Sequence, residues 1–285
     1  PLPVNSSQSN LFVNSLLEDT GRQCIWIGTE GYLFQYFPST GQMKQTEAFH
    51  NNSIKSLALD GNGDLLAGTD NGLYVYHNDV TPLQHIIHDS RNIQSLTNNI
   101  IWNIFADQEH NIWLGTDYGI SLSRYNSALQ FIPISQITGT GDGNQFYSLF
   151  RDSKGFYWFG GTNGLIRFTD PAGDKHNAIW YRMGDKTYPL SHNRIRHIYE
   201  DKEQQLWIAT DGSINRYDYA TRQFVHYNIV DSTGTYNTNW TYYMFEDNAG
   251  HLWISTCLGG IFVVDKHRLM QSASGQYVAE QNYSV

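Results

Sequence analysis

The feature that most constrains this chain is a short block that returns six times: an apolar residue, Trp, an apolar residue, a small residue and usually Thr. It reads Ile25-Trp26-Ile27-Gly28-Thr29, Leu65-Leu66-Ala67-Gly68-Thr69, Ile112-Trp113-Leu114-Gly115-Thr116, Tyr157-Trp158-Phe159-Gly160-Gly161, Leu206-Trp207-Ile208-Ala209-Thr210 and Leu252-Trp253-Ile254-Ser255-Thr256. The small residues stand at 28, 68, 115, 160, 209 and 255, giving successive spacings of 40, 47, 45, 49 and 46. Self-similarity at such a period marks a repeat architecture. A constant block at a variable spacing means fixed strands joined by variable loops.

The context of the block repeats as well. Upstream, an apolar run ends in Asp19, Asp60, Asp107, Asp152, Asp201 or Asp247, followed by a turn rich in Gly, Asn, Lys and Gln. Downstream comes an apolar-aromatic segment such as Gly72-Leu73-Tyr74-Val75-Tyr76 or Gly164-Leu165-Ile166-Arg167-Phe168. A weaker fourth segment closes each unit, as in Gln223-Phe224-Val225-His226-Tyr227 or Gln276-Tyr277-Val278-Ala279. Four short strands per unit is the reading. Repeating a four-stranded antiparallel sheet radially covers both faces of each sheet and protects its edges. Helical repeats would place apolar residues every three or four positions, and no window shows that stripe. The fold expected is therefore all-β, a β-propeller of four-stranded antiparallel blades in a six- or seven-bladed ring. It forms a single domain over 1–285 with repeats at 10–50, 51–96, 97–142, 143–190, 191–235 and 236–281.

Bulk properties narrow the function classes. A formal net charge of −9 with only 18 Lys+Arg argues against direct contact with a nucleic-acid backbone. No run approaches the roughly 18 apolar residues of a membrane helix, and Pro1-Leu2-Pro3-Val4 lacks the basic and apolar regions of a signal peptide. Cys24 and Cys257 make neither a disulfide framework nor a thiolate metal site, and whether they pair is open. In His85-Ile86-Ile87-His88 an odd spacing puts the two rings on opposite faces of a strand, so no shared metal is expected. The recurring residues read as scaffold: Trp fills the space between blades, and each Asp caps the N–H groups of a turn. The pairs Glu18-Asp19, Glu200-Asp201 and Glu246-Asp247 recur with the repeat, unlike a unique acid/base pair.

Taken together, the apolar run ending in Glu-Asp, the turn, Leu-Trp-Ile-Gly-Thr, Gly-Leu and Arg-Tyr-Asp resemble the two-component regulator propeller repeat. The best copies are Ile195 to Ile198 with Glu200-Asp201, Leu206-Trp207-Ile208-Ala209-Thr210 and Arg216-Tyr217-Asp218, and Phe245-Glu246-Asp247 with Gly250-His251-Leu252-Trp253-Ile254. The resemblance implies the periplasmic sensor region of a hybrid two-component system (hybrid sensor histidine kinase) of Bacteroides-type bacteria, which detects oligosaccharides released from polysaccharides. It also implies propellers commonly of seven blades, and a parent chain with a membrane span, kinase, receiver and DNA-binding parts. The departures are Leu66 for Trp in the second unit, Gly161 for Thr in the fourth, and Ser255 and Cys257 in the sixth.

Laying the six copies over one another turns the repeat into a filter for function. Aligned on their aspartates, Asn14, Lys55, Trp102, Tyr147, Arg196 and Tyr242 share one column of the first strand. Phe12, Ser53, Ile100, Gln145, Arg194 and Trp240 share the column two residues earlier. These columns vary where the core columns do not, and they mix aromatic planes with Arg, Lys and amides. A sugar offers a flat ring face and many hydroxyls, for which stacking planes and forked donors are the complement. The expected ligand-binding residues are Lys55, Trp102, Tyr118, Tyr147, Arg194, Arg196, Trp240 and Tyr242, with Asp117 beside them. Lys55, Arg194 and Arg196 suit a carboxylated or sulfated saccharide. No catalytic residue, cofactor or metal is expected. The leading expectation is non-enzymatic: a periplasmic domain that binds an oligosaccharide non-covalently and relays the event to a kinase. Its partners would be adjacent propeller or sensor domains of the parent chain or a second copy in a homodimer, with the membrane reached only through the parent chain. The alternatives are a protein-interaction or dimerisation scaffold and a propeller lyase.

Overall fold

Each recurring block folds as the second of four antiparallel strands, flanked by the apolar run on one side and the apolar-aromatic segment on the other. The computed structural model describes residues 12–46, 49, 52–77, 82–125, 131–133, 145–169, 178–187, 189–272 and 276–284. Residues 1–4, read above for a leader, and the repeat boundaries at 50/51 and 142/143 lie outside the described residues. Six sheets result, and all are propeller blades of the expected all-β class. Blade one comprises Val13–Asp19, Cys24–Thr29, Leu33–Phe37 and Gln42–Thr46. Blade two comprises Ile54–Leu59, Leu65–Thr69, Gly72–Tyr76 and Pro82–Ile86. Blade three comprises Ile101–Ala106, Ile112–Thr116, Gly119–Ser123 and Phe131–Pro133. Blade four comprises Phe146–Arg151, Tyr157–Gly161, Gly164–Phe168 and Ile179–Tyr181. Blade five begins with Ile195–Glu200, Leu206–Thr210, Ser213–Asp218 and Gln223–Val230, and blade six with Thr241–Glu246, His251–Thr256 and Ile261–Asp265. The chain divides into two compact units, 1–146 and 147–285, with the division one residue into the first strand of blade four.

Within each unit, neighbouring blades are sealed in the same way. In the first, Trp26 of blade one packs in a buried cluster with Leu57, Leu65, Ala67 and Tyr74 of blade two. In the second, Trp158 of blade four packs with Leu206, Ile208 and Tyr217 of blade five, and Trp207 of blade five with Met244, Leu252 and Ile254 of blade six. The small residue of the block is a matter of contact: a Cβ on Gly28 would lie 2.6 Å from Ile54 Cγ2, one on Gly68 2.7 Å from Ile101 Cγ2, and one on Gly160 2.5 Å from Ile195 Cγ2. A serine hydroxyl completes three of the seams. Ser15 Oγ accepts from Leu57 N at 3.1 Å, Ser56 Oγ from Ile104 N at 3.0 Å, and Ser148 Oγ from Ile198 N at 3.0 Å. In blade five His197 takes the place of the serine, its Nδ1 accepting from Met244 N at 3.2 Å. Burial pushes this imidazole down to about 3, so it is the neutral acceptor this position needs.

The recurring Asp and Trp form one device. One carboxylate oxygen accepts turn N–H groups, as Asp152 Oδ1 does from Lys154 and Phe156 and Asp201 Oδ1 from Glu203 and Gln205. The other accepts the indole N–H of the following block: Trp26 at 3.0 Å from Asp19, Trp113 at 2.8 Å from Asp107, Trp158 at 2.7 Å from Asp152, Trp207 at 2.9 Å from Asp201 and Trp253 at 2.9 Å from Asp247. Buried tryptophan needs a partner for its N–H, and buried carboxylate needs donors. Asp60, whose block has Leu66 in place of Trp, takes Asn62 Nδ2 instead. The preceding glutamates serve the neighbouring turn: Glu200 accepts from Ser153 N and Oγ, and Glu246 from Lys202 N.

Blade six departs from the expected strand order. Gln276–Val278 does not close it but runs parallel to the Asn228–Val230 edge of blade five, and Gln281–Tyr283 closes blade six against Ile261–Val263. The cause is a short helix, α1 (Lys266–Gln271), which follows the third strand. Asp265 caps it by accepting from His267 N and Arg268 N. Its first residue, Lys266, is fully buried, with Nζ 2.8 Å from Glu246 Oε1 and 3.2 Å from Asp201 Oδ2. This anchorage turns the chain back over blade five, whose long outer strand leaves an edge to be paired before the chain returns to blade six. Cys24 is buried, its Sγ accepting from Gln35 Nε2 at 3.4 Å, and Cys257 is exposed; the two do not pair. His85 Nε2 bonds Asn71 O and His88 Nδ1 bonds Leu96 O, each ring engaged separately.

Candidate functional site

The variable column of the first strand coincides with a β-bulge. In blade one Val13 pairs with Thr29 and Ser15 with Gly28, so Asn14 has no partner in the ladder. The same step leaves out Lys55, Trp102, Arg196 and Tyr242 in blades two, three, five and six. A bulge bends its strand and re-aims the extra side chain, and bulges gather at functional edges. The residue after the block's Thr supplies the second half of the arrangement, being Asp70, Asp117 and Asp211 in blades two, three and five. Its backbone N–H bonds the carbonyl of the column two residues before the bulge: Asp70 to Ser53, Asp117 to Ile100 and Asp211 to Arg194.

In the first unit, Lys55 Nζ lies 4.4 Å from the centroid of the Trp102 ring, a cation–π contact. Trp102 Nε1 donates to Asp117 Oδ1 at 3.0 Å, and Gln145 Nε2 donates to the same oxygen at 2.6 Å. Tyr118 is half-exposed, its backbone N–H turned onto Thr116 Oγ1. Asn14 Nδ2 donates to Ser53 Oγ at 3.1 Å. The structure therefore brings Lys55 onto the Trp102 ring and Trp102 onto Asp117, with Tyr118 next in the chain.

In the second unit the arrangement centres on Asp211. Arg196 Nε donates to Asp211 Oδ1 at 2.7 Å and Nη2 to Oδ2 at 3.3 Å, while Arg194 Nε stands 3.8 Å from Oδ2. The Arg196 guanidinium carbon lies 4.7 Å from the Tyr242 ring and 5.7 Å from the Tyr147 ring. Burial alone would lower the pKa of Arg196, but the Asp211 carboxylate outweighs it and holds the group above its ordinary value. Arg196 is thus held on three sides, and of the two arginines Arg194 is the more exposed, at 43% against 17%.

Trp240 extends this group into a ledge. Its backbone adopts φ +54°, a left-handed conformation that bulky residues rarely take. Two hydrogen bonds hold it there, Trp240 N to Asp211 O at 3.1 Å and Cys257 N to Trp240 O at 3.0 Å. The side chain stays 47% exposed and Tyr242 45%. Trp240 forms one wall of a cavity of about 350 Å³ completed by Thr235, Tyr236, Asn237, Asn239, Leu258 and Gly259. Those six residues escape the column alignment because they lie on loops of unequal length. The signal available was the polar-aromatic run Thr235-Tyr236-Asn237-Thr238-Asn239 leading into Trp240.

The chemistry on offer is stacking and hydrogen bonding: ring planes, side-chain amides, a hydroxyl and one half-exposed guanidinium. Among the described residues no group of three or more His, Cys, Asp or Glu side chains could hold a metal ion, and no helix is long and apolar enough to cross a membrane. The model of the two component regulator propeller matches residues 95–118, 140–163 and 189–212, each match running through a first strand, its Asp turn and the block that follows. The chain belongs to the two-component regulator propeller family. It is 94% identical to the extracellular domain of the proposed hybrid two-component system BT4673 from B. thetaiotaomicron, over all of this chain and 38% of that one, with a TM-score of 0.53. The extracellular domain of the proposed hybrid two-component system BT3049 from the same organism shares the fold, with a TM-score of 0.70, at 20% identity over 91% of this chain and 34% of that one. Histidine kinase P4 of Formosa agariphila is 26% identical over 263 residues, 83% of this chain and 18% of the kinase. The chain therefore spans well under half the length of each of these matched proteins.

Proposed function

We propose that this chain is the ligand-sensing propeller of the periplasmic part of a hybrid two-component signalling protein, and that it binds an oligosaccharide without transforming it. The observation that carries the reading is the Trp240 ledge: an exposed indole, fixed in a strained backbone conformation, walling a cavity otherwise lined by Tyr236, Asn237, Asn239 and Thr235. Strain held in place by surrounding hydrogen bonds is characteristic of binding sites. An aromatic plane beside amides and hydroxyls matches the ring face and hydroxyl rim of a pyranose. The likeness to an extracellular domain of a two-component system supports an extracytoplasmic location, and the histidine-kinase relative supports relay to a kinase in the parent chain. The recurring acids, engaged in turns and indole bonds, favour binding over catalysis. A thermal-shift screen of the intact chain against oligosaccharide panels tests this. The melting temperature should rise with ligand concentration, and Trp240→Ala should weaken the response about tenfold or more, in line with the loss of an aromatic anchor. No shift across neutral and acidic panels, or an undiminished response in the variant, would overturn the reading.

A second reading, a contact module for another propeller of the parent chain or for a second copy, is favoured by one face of blade six. There Phe245, Trp253 and Tyr283 stack at 6.0 and 6.2 Å, and Tyr243, Phe245 and Tyr283 are exposed. Sedimentation analysis of the chain with and without Phe245→Asp distinguishes this from a face that makes no contact.

A further inference from the structure

Resting on the saccharide reading of the Trp240 ledge, we infer that Asp211 is the residue that sets the charge this site accepts, and that it selects an uncharged sugar over a carboxylated or sulfated one. Two arginines gathered on Asp211, which is joined to the ledge by the bond from Trp240 N, would by themselves favour an anion, because a guanidinium with a free fork grips an oxyanion through two parallel N–H bonds. The Arg196 fork is taken, and the Arg194 fork faces a carboxylate already in place. Arg196 commits Nε and Nη2 to the two oxygens of Asp211, and the Tyr242 and Tyr147 rings lie beside its guanidinium. Arg194 directs Nε toward the same carboxylate at 3.8 Å. Asp211 is itself only 8% exposed at its side chain and its carboxylate is held by both bonds from Arg196, while its backbone N–H is bonded to Arg194 O and its carbonyl to Trp240 N. A ligand carboxylate approaching the arginines would meet a fixed carboxylate of like charge already occupying the position it needs. A hydroxyl meets no such penalty: it can accept from the remaining N–H groups of Arg194, and the Asn237 and Asn239 amides of the cavity offer neutral donors and acceptors.

Asp211 is thus a specificity-determining residue, and Asp211→Asn removes its charge with little change of shape while leaving both backbone bonds in place. Isothermal titration of the intact chain against neutral gluco-, galacto-, manno- and xylo-oligosaccharides, and against oligogalacturonides and sulfated heparin oligosaccharides of matched length, tests the inference. The wild-type chain should bind its best neutral ligand about tenfold or more tightly than any acidic one, as expected when a like charge blocks the fork. Its affinity should change less than about twofold between about 20 and about 300 mM NaCl, because no net ionic contact is made. Asp211→Asn should reverse the preference and make binding of the acidic ligands strongly salt-dependent. Tighter binding of acidic ligands by the wild type, or an unchanged preference in the variant, overturns the role of Asp211 while leaving the saccharide reading intact. Binding of neither class overturns the saccharide reading and this inference with it. If Asp211→Asn fails to give the circular dichroism of the wild type, the wild-type preference and its salt dependence decide the question alone.

Discussion

At the scale of single residues, the side chains that recur and those that vary differ in what their removal should cost. Asp152 accepts from two turn N–H groups, from Trp158 Nε1 at 2.7 Å and from the Tyr219 hydroxyl at 2.7 Å, and is 4% exposed. Asp152→Ala leaves four donors without an acceptor, two of them on large aromatic side chains, so a loss of about 3–5 kcal/mol is expected. Urea unfolding at neutral pH reads it directly, and a loss below about 1 kcal/mol would mean the turn is held by other contacts. Arg196 stands between the two classes. Its position in the variable column makes it a proposed ligand contact, yet its bonds to Asp211 mean that Arg196→Ala strands a nearly buried carboxylate. The variant should lose about 1–3 kcal/mol of stability as well as any ligand response, and a paired urea curve separates the two effects. A fully stable variant would show that Arg196 serves recognition alone.

At the scale of elements, the seam between blades is set by a glycine on one side and a β-branched residue on the other. Gly160→Ala would put a methyl 2.5 Å from Ile195 Cγ2 and 2.8 Å from Ile195 Cβ, neither of which can rotate away in a strand. Overpacking of this kind costs about 1–3 kcal/mol, and combining it with Ile195→Ala should recover part of that cost, a coupling that a double-mutant cycle measures. Additive effects would argue that the backbone shifts instead. This seam was legible in the sequence because the small residue recurs at a fixed place in the block; so were the strands, through their alternation and the Asp and Trp that bracket them. The bulge was not legible. Because five of the first strands share it at the same place, aligning the copies on their aspartates keeps the columns in register and hides the extra residue. The last strands were misread for a different reason: α1 is six residues long, too short to show a helical period, and its place depends on Lys266 reaching Asp201 and Glu246, far away in the chain. Lys266→Met tests that account, since it leaves Asp201 and Glu246 buried without their cation and should cost about 3–5 kcal/mol in urea unfolding.

At the scale of the whole molecule, these local bonds combine into a definite response to acid. His197 is held neutral because its Nδ1 must accept the Met244 N–H, and its ring stacks on Tyr243 at 4.0 Å and lies 6.3 Å from Tyr199. With its folded-state pKa pushed down to about 3, the unfolded chain binds the extra proton first as the pH falls through about 6.5. Stability should therefore decline from that pH downward, at up to about 1.4 kcal/mol per pH unit for this one group. The carboxylates act lower. The Trp253 indole, together with the turn N–H groups, holds Asp247 well below the usual carboxylate range. Asp19 is lowered as well, the bonds from Trp26 and Arg22 outweighing its burial. Such groups stabilise the fold fully above the unfolded pKa of about 3.9 and lose that contribution only as the pH drops below it. Two limbs should follow: a shallow one beginning near neutrality and a steeper one below about pH 4. Urea midpoints measured from neutral pH downward resolve them, and His197→Ser isolates the first. Serine performs the same acceptor role at the seams made by Ser15, Ser56 and Ser148, and it does not titrate. The variant should give a flatter curve between about pH 6.5 and about pH 4 even if the lost Tyr243 stacking lowers its absolute stability. Parallel curves for the two proteins would place the origin of the shallow limb in a different histidine.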